Sequence, residues 1–329
     1  MSASCRYEDV VAAAARIASL CRRTPAVTSR TLDGLAGFRI VFKPENLQRT
    51  GSFKCRGAVS AVALLAAAGV RAVATHSAGN HGAALAFAAR AHGLECHVVV
   101  PSTAPRVKKD AIEGYGARLI LCEPTLAARE TTCAAVMDQT GAVLVPPYDH
   151  PHIMAGQGTI GLEMLSDSPD LDALVVPVGG GGLCSGVCLA ARHLSPRIRL
   201  FGAEPLLADD ARRSLAAGEI IPSTYPDTVA DGLRTSLGEL PFSILRTHLE
   251  AIFTATEAEI LAAMELIYTR LKLVVEPSGA VGLAAALANR ERLLGLRVGI
   301  VLSGGNVDPS RLGEFFSSRS VSWGRSVRG

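Results

Sequence analysis

The sequence lacks long apolar runs and dense runs of one charge. No stretch approaches the roughly 20 uninterrupted apolar residues that a membrane-spanning helix needs. No basic-then-apolar segment of the secretory type opens the chain. The 33 Lys and Arg residues and the 30 Asp and Glu residues are mixed along the sequence. We therefore expect neither a membrane nor a nucleic acid as a partner.

The eight cysteines form no Cys-x-x-Cys pair and show no spacing of a disulfide framework. They lie in apolar and Ala-rich segments, which is typical of buried thiols in a reducing compartment. A cytoplasmic location is therefore expected.

Repeats of fixed period, low-complexity blocks and flexible linkers are also missing from the 329 residues. Short apolar runs alternate with Ala- and Leu-rich segments of helical length. The predicted strands are 39–42, 72–75, 97–100, 118–121, 174–178, 200–203 and 298–302. The predicted helices include 58–67, 81–92, 106–115 and 126–139. Because the strands are apolar on both faces, this alternation predicts an α/β fold with parallel sheets covered by helices.

Two familiar nucleotide-binding fingerprints are absent, yet four successive glycines, residues 179–182, follow a predicted strand and precede a predicted helix, 183–194. The segment has neither the Lys-Ser/Thr ending of a P-loop nor the Gly-x-Gly-x-x-Gly pattern. Glycines let successive backbone N–H groups turn toward one anion at a helix N-terminus. The segment is either a phosphate cup or a plain tight turn, and four glycines are more than a turn requires.

Lys54 lies in Gly51-Ser52-Phe53-Lys54-Cys55-Arg56-Gly57. Alone it could be a solvated surface lysine. A lysine that faces a phosphate cup is the arrangement expected for a Schiff base with pyridoxal phosphate (PLP), and Phe53 would give the ring an apolar face. Ser303 ends an apolar strand and could hydrogen-bond a heterocyclic nitrogen or simply cap a helix.

Together these segments resemble the threonine dehydratase/serine racemase family of PLP enzymes. The resemblance extends from about residue 7 to about residue 312. Its motifs are Ser52-Phe53-Lys54-Cys55-Arg56-Gly57, Ser77-Ala78-Gly79-Asn80-His81-Gly82, the four glycines, Ser303-Gly304-Gly305-Asn306 and the linking segments 43–48, 155–159 and 229–232. It implies the tryptophan-synthase β-subunit fold, with two lobes that each contain a mostly parallel twisted sheet flanked by helices. The expected domains are a large PLP-binding domain, residues 1–66 and 150–329, and a small domain, residues 67–149.

The resemblance also implies roles for individual residues. Lys54 and Ser77 are the expected catalytic residues. Lys54 would carry PLP, and the other expected cofactor contacts are Phe53, Asn80, Gly179, Gly180, Gly181, Gly182, Leu183 and Ser303. The amino-acid substrate would bind to Ser77, Ala78, Gly79, Asn80 and His81. A homodimer is expected, and an appended regulatory domain is not.

The expected reaction is loss of water and then ammonia from a β-hydroxy L-amino acid such as threonine or serine. A racemase needs a second acid/base on the other face of Cα, which racemizing members of the family supply with a serine where this chain has Ala78. Dehydration is therefore favoured over racemization. A β-replacement reaction, as in the cysteine synthases, is the competing reaction class.

Two further segments bear on metal binding and substrate choice. Glu204, the Ala208 carbonyl and Asp210 resemble the cation site of the serine racemase branch, and their oxygen ligands suit Mg²⁺ or Ca²⁺. The same segment could be only an acidic helix start. The resemblance to the serine racemase branch implies that Arg129 can approach a distal substrate carboxylate, which would favour 3-hydroxyaspartate; alternatively it is a solvated helix charge. A dehydratase-like enzyme of hydroxyectoine utilisation has similar motifs.

Overall fold

In the part of the chain that the structure describes, nine strands form two separate sheets. The computed structural model describes residues 4–77, 79–104, 106–224 and 226–317, together with residues 321 and 323. The strands are β1 (Arg39–Pro44), β2 (Ala72–Thr75), β3 (Glu95–Pro101), β4 (Arg118–Cys122), β5 (Val143–Leu144), β6 (Ala173–Pro177), β7 (Arg199–Pro205), β8 (Ala251–Ala255) and β9 (Arg297–Leu302). The larger sheet has the order β1-β9-β6-β7-β8, and the smaller has the order β4-β3-β2-β5. Adjacent strands in both are parallel.

Helices connect and cover these strands, as parallel pairing requires. They are α1 (Tyr7–Ile17), α2 (Arg30–Ala36), α3 (Lys54–Ala67), α4 (Asn80–Ala91), α5 (Arg106–Gly114), α6 (Leu126–Thr140), α7 (Pro151–Asp167), α8 (Gly182–Leu194), α9 (Asp210–Ala217), α10 (Glu239–His248), α11 (Glu257–Leu266), α12 (Pro277–Ala288) and α13 (Leu312–Phe316). The α/β fold predicted from the sequence, with parallel sheets flanked by helices, is confirmed.

All seven predicted strands are present, and each begins and ends within about two residues of its predicted bounds. The sequence pattern missed β5 and β8. β5 is only two residues long and has no apolar periodicity of its own. β8 is a short strand at the edge of the larger sheet, where it pairs with β7.

Helix α3, which begins at Lys54, packs closely against α7. A Cβ at Gly156 would lie 2.6 Å from the Arg56 carbonyl oxygen and 2.6 Å from Gly57 Cα. The Gly57 N–H also donates to Gln157 Oε1 at 3.2 Å. Glycine at this crossing lets the two backbones approach, so the position of Lys54 is fixed by a tight helix contact.

A buried network of ion pairs also holds the first turn of α3 in place. The fully buried Arg56 guanidinium donates to Glu45 Oε2 (2.7 Å), to Glu163 Oε1 (2.6 Å) and to Thr159 Oγ1 (3.1 Å). Lys43 Nζ donates to Glu163 Oε2 at 2.5 Å. Two cations and two carboxylates therefore neutralise one another away from water.

Strands β2 to β5 extend from Ala72 to Leu144 and make up the smaller sheet. The division into domains at residues 66/67 and 149/150 remains a prediction. Within the described ranges, no helix is both long enough and apolar enough to cross a membrane.

Candidate active site

The segment before Lys54 lies against the segment that follows β9. The Phe53 N–H donates to the Ser303 carbonyl oxygen at 3.0 Å, and Ser52 forms an isolated antiparallel bridge with Gly304. β1 and β9 pair in parallel beside them, with Pro44 opposite Leu302. The predicted lysine and the predicted ring-nitrogen serine are therefore neighbours at the carboxyl edge of the larger sheet, where ligands bind in open α/β sheets.

Lys54 is half-buried, and two aromatic rings lie near its amine. Its Nζ donates to the Pro147 carbonyl oxygen at 2.7 Å and lies 5.0 Å from the Phe53 ring centroid and 6.0 Å from the Tyr148 ring centroid. Burial lowers the pKa of the amine to about 8, and the Glu276 carboxylate acts in the opposite direction. An amine with this pKa is partly neutral near neutrality, which is what a nucleophile or base requires.

The four glycines turn into the N-terminus of α8, and Tyr148 covers them. A Cβ at Gly180 would lie 2.3 Å from the Tyr148 ring, and one at Gly182 would lie 2.8 Å from the Tyr148 carbonyl oxygen. Gly181 has φ +86°, in the left-handed region that favours glycine. Since the first N–H groups of a helix have no partner within it, this turn offers donors and positive potential to an anion.

Asn80 belongs to a chain of side-chain hydrogen bonds that leads to a buried carboxyl. Its Nδ2 donates to Glu276 Oε1 at 2.6 Å, and its Oδ1 accepts from Asn306 Nδ2 at 2.8 Å. Burial raises the pKa of Glu276 to about 8, and the charge of Asp231 adds to this. Glu276 also influences Lys54, so these groups form one electrostatic unit around the amine.

The turn from β2 into α4 carries the predicted substrate-carboxylate residues. A Cβ at Gly82 would lie 2.2 Å from the Ser77 carbonyl oxygen, so the turn needs glycine there. The Ser77 hydroxyl accepts from the Gly79 N–H at 3.4 Å. His81 is buried, and burial followed by the charge of Lys54 lowers the pKa of its ring to about 3. Its Nε2 lies 2.9 Å from the Val145 carbonyl oxygen, so the neutral tautomer that donates from Nε2 fits. Ala78 lies outside the described residues.

These features agree with what comparisons with known proteins show. The sequence pattern of the family described as "Pyridoxal-phosphate dependent enzyme" matches residues 17–304. The chain belongs to this family.

Three named proteins are similar to this chain over nearly its whole length. The beta-hydroxyaspartate dehydratase of Paracoccus denitrificans (strain Pd 1222) is 48% identical over 307 residues, which cover 93% of this chain and 98% of the relative. The structure of maize serine racemase has a TM-score of 0.92 at 40% identity and covers 95% of this chain and 97% of its own. The structure of the T.th. threonine deaminase has a TM-score of 0.88 at 44% identity and covers 92% and 99%. The resemblance to this family and its fold is confirmed.

The site fits PLP on observations of its own. A phosphate would meet the glycine turn and the N-terminus of α8, and the buried Lys54 amine lies beside Tyr148, which packs on that turn. Ser303 is buried, and its hydroxyl donates to the Ser278 carbonyl oxygen at 3.3 Å. This bond is long, so the hydroxyl could instead donate to a ring nitrogen. Leu183, at the start of α8, is buried in the core beneath the glycines. The individual roles of these residues remain predictions.

Arg129 is the predicted residue that the described contacts do not bring to Lys54. It lies half-buried in the first turn of α6. Burial raises the pKa of Cys122, at the end of β4, and the positive charge of Arg129 acts in the opposite direction. Helix α6 follows β4, so Arg129 is at the same carboxyl edge of the smaller sheet as Ser77, which follows β2, two strands away from β4.

The predicted cation ligands are close together and buried. Glu204 accepts from the N–H groups of Ala211 (3.1 Å) and Arg212 (2.8 Å). Asp210 Oδ2 accepts from the Leu237 N–H at 2.9 Å, and its Oδ1 has no partner among the described residues. Burial raises the pKa of Glu204 well above its usual range and that of Asp210 to about 6. No group of three or more His, Cys, Asp or Glu side chains is placed to hold a metal within the described residues.

A cation would nevertheless suit this pair of carboxyls. The charge of Asp210 adds to the rise in the pKa of Glu204, and an orphaned buried carboxylate oxygen is costly unless a cation or donor meets it. Two carboxylates and the carbonyl of the buried Ala208 would supply oxygen ligands of the kind that Mg²⁺ and Ca²⁺ prefer. The metal site remains a prediction.

Three residues of the site were not predicted from the sequence: Pro147, Tyr148 and Glu276. A cavity of about 370 Å³ opens beside Glu276 and Asn80, and the ion pair between Lys108 and Asp231 crosses its wall. Pro147 contributes only a carbonyl, which no sequence pattern marks. Glu276 precedes the Pro277 that opens α12, a capping position that looks structural until the fold places it beside Lys54.

Proposed function

We propose that the enzyme is a dehydratase of β-hydroxy L-amino acids, with threonine and serine as its first candidate substrates. Its product would be a 2-keto acid, formed with net release of ammonia, because the water lost in the elimination is taken up again when the enamine is hydrolysed. The observation that carries the proposal is the buried Lys54 amine, with its lowered pKa, held between Phe53, Tyr148 and the Pro147 carbonyl. Its relatives include a dehydratase and a threonine deaminase.

PLP, when bound, supplies a conjugated ring that delocalises the electron pair left at Cα after proton loss. The carboxylate of the substrate would bind at the Ser77 hydroxyl and the backbone N–H groups of the turn from Gly79 to His81. His81, kept neutral by burial, would brace that turn through its bond to Val145.

Lys54 would then take the Cα proton. Its amine, whose pKa is lowered to about 8 by burial, is neutral in a sufficient fraction of molecules to act as a base near neutrality. Ser303 would donate a hydrogen bond to the ring nitrogen without forcing a proton on it. Loss of the β-hydroxyl is thereby favoured over protonation elsewhere.

Replacement of Lys54 by Ala should abolish both turnover and the absorbance of lysine-bound PLP. Keto-acid formation from threonine, serine and phenylserine measures the first, and the visible spectrum measures the second. Wild-type levels of either would refute the role of Lys54.

The competing reaction class is tested with O-acetylserine and sulfide. Cysteine should form no faster than without enzyme, since rapid formation of cysteine would indicate a β-replacement enzyme.

The second candidate substrate is 3-hydroxyaspartate. Its support is the 48% identity to a beta-hydroxyaspartate dehydratase and the place of Arg129 at the carboxyl edge of the smaller sheet. If Arg129 binds the distal carboxylate, Arg129→Met should raise KM for 3-hydroxyaspartate on the order of 10-fold or more while leaving KM for serine unchanged. Equal effects on both substrates would assign Arg129 to the helix surface.

Racemization is the reaction that the sequence argues against. Ala78 has no proton to move, so serine recovered from a partial reaction should remain the L enantiomer. Chiral chromatography measures this, and rapid formation of D-serine would contradict the dehydratase proposal.

A further inference from the structure

Two thiols lie in contact directly beside the catalytic-lysine segment. Cys21 Sγ and Cys55 Sγ are 3.8 Å apart, although 34 residues separate them in sequence. Cys55 follows Lys54 in the first turn of α3. Neither thiol has a place in the proposed reaction.

We propose that Cys21 and Cys55 form a modification site that oxidants of the peroxide class convert to a disulfide, and that this oxidation lowers PLP capture and turnover at Lys54. The inference goes beyond the proposed function and does not depend on the identity of the substrate.

The backbones that carry the two thiols are held together by their neighbours. The Arg22 N–H donates to Gln48 Oε1 at 2.8 Å, and the Arg22 carbonyl oxygen accepts from Gln48 Nε2 at 2.7 Å and from Arg56 Nη2 at 3.3 Å. Arg22 follows Cys21, and Arg56 follows Cys55. The hydrogen bonds between these next residues therefore keep the thiols in register whether or not they are bonded to each other.

Access differs between the two sulfurs. Cys21 is half-buried, whereas Cys55 is fully buried among the apolar side chains around Ala58 and Val59. An oxidant therefore meets Cys21 first. Hydrogen peroxide would oxidise the Cys21 thiol to a sulfenic acid with release of one water. Cys55 would then attack that sulfur, and a second water would leave as the S–S bond forms.

The hydrogen bond to Cys21, and burial after it, raise the pKa of Cys55. In the reduced enzyme Cys55 is therefore protonated and slow to react with peroxide, and oxidation starts from Cys21. The pair Cys184 and Cys188 is the natural comparison, because these cysteines are one helical turn apart on α8 and both are buried. We expect no oxidation there.

Disulfide formation would act on Lys54 through the first turn of α3. The sulfur atoms must approach from 3.8 Å to about 2.05 Å. Both sides are held, Cys21 through the Arg22 bonds and Cys55 through the Arg56 network, so closure strains both, and the part that falls on Cys55 displaces the adjacent Lys54. A displacement of about 1 Å at a reacting group can cost on the order of 100-fold in rate. Strain in the closed bond also makes it easier to reduce, so the change is reversible.

The test treats the PLP-loaded enzyme with hydrogen peroxide. Peptide mass spectrometry without reductant detects a peptide that joins Cys21 to Cys55 and has lost two hydrogen atoms. We expect this peptide together with at least a ~10-fold loss of turnover, a loss of lysine-bound PLP absorbance, and recovery of both after dithiothreitol. The absorbance does not depend on the substrate, so a wrong substrate assignment leaves this readout intact.

Cys21→Ala should keep wild-type turnover and resist peroxide, while Cys133→Ala, at a buried cysteine of the smaller-sheet core, should remain as sensitive as wild type. Three outcomes would overturn the proposal: no joined peptide, a joined peptide with full activity and absorbance, or equal inactivation of wild type and Cys21→Ala.

Discussion

At the scale of single residues, the chemistry depends on how little water reaches Lys54. An exposed lysine is almost wholly protonated near neutrality, whereas burial lowers the pKa of Lys54 to about 8. The Glu276 carboxylate, itself buried, limits that lowering. Because burial also raises the pKa of Glu276 to about 8, its charge opposes the effect of burial on Lys54 only as the pH approaches 8.

This balance predicts the pH dependence of PLP uptake by the cofactor-free enzyme. Only the neutral amine attacks an aldehyde, so uptake should become faster as pH rises and level off above about 8. Glu276→Gln removes the charge that Glu276 acquires as the pH approaches 8, so the pKa of Lys54 should fall further and the midpoint should move to lower pH. Rapid-mixing absorbance measures the rate. Glu314→Gln, at an exposed carboxylate, should leave the midpoint unchanged. A midpoint that moves to higher pH in Glu276→Gln would contradict this account.

A second residue-scale prediction concerns the contact between Gly180 and Tyr148. Gly180→Ala would place a methyl group 2.3 Å from the Tyr148 ring. Overpacking costs about 1–3 kcal/mol, and relief of the clash would displace the turn that receives the phosphate, so PLP should bind on the order of 10-fold more weakly. Titration of the apoenzyme with PLP measures this. The double variant with Tyr148→Ala should recover part of the affinity, and Gly34→Ala, with no described atom within 4 Å of the added methyl, should match wild type. Loss without recovery would mean that Tyr148 is not the obstacle.

At the scale of elements, α3 is the helix that positions the site, and it is fixed by polar and backbone contacts rather than by apolar area alone. Arg56 joins its first turn to Glu45 and Glu163, and Gly57 lies against α7. The sequence predicted a helix at 58–67, but the observed helix begins at Lys54. Phe53, the residue before it, makes no side-chain cap within the described part of the chain, so local signals could not mark this start.

Removal of Arg56 should therefore destabilise the whole chain. Arg56→Met leaves the Glu45 and Glu163 carboxylates buried without their cation, which costs about 3–5 kcal/mol of unfolding free energy. Urea denaturation measures it. Arg23→Met breaks a largely exposed pair with Asp167 and should cost less than about 1 kcal/mol. Similar losses in the two variants would show that the network contributes no more than a surface pair.

At the scale of the whole molecule, one segment joins the predicted cation site at Glu204 and Asp210 to the glycine turn. Asp210 accepts from the Leu237 N–H, and Leu237 packs on Gly181, where a Cβ would lie 2.7 Å from its Cδ1. The Gly238 N–H donates to the Gly180 carbonyl oxygen at 3.2 Å. Occupancy of the cation site would therefore stabilise a segment that supports the phosphate end of the PLP site.

Mg²⁺ should raise the melting temperature of the enzyme, and a chelator should reverse the rise, because a ligand that binds only the folded state stabilises it. Asp210→Asn should abolish the response. Asp209→Asn should retain it, since the Asp209 carboxylate pairs with Arg212 and Arg213 instead. Calorimetry with and without Mg²⁺ measures the difference. An unchanged response in Asp210→Asn would place the cation elsewhere.

Seven of the nine described strands could be predicted from the sequence because they are apolar on both faces, a property that each strand carries alone. Recognisable motifs also marked Lys54, Asn80, the glycines and Ser303, whose roles remain predictions. Pro147, Tyr148 and Glu276 could not be found in this way. Their place beside Lys54 arises from packing between segments 93 to 222 residues apart, and a backbone carbonyl has no sequence signal.

The pairing of β1 with β9 has a consequence for biosynthesis. β9 lies between β1 and β6, so the larger sheet has a gap until residues 297–302 have left the ribosome. Ser303 meets Phe53 only when that gap closes. Nascent chains therefore expose one edge of β1 for most of their synthesis and one edge of β6 from its own synthesis until β9 emerges, and they cannot acquire a complete PLP site before the last strand is in place. Stable PLP capture would thus report that translation has passed β9.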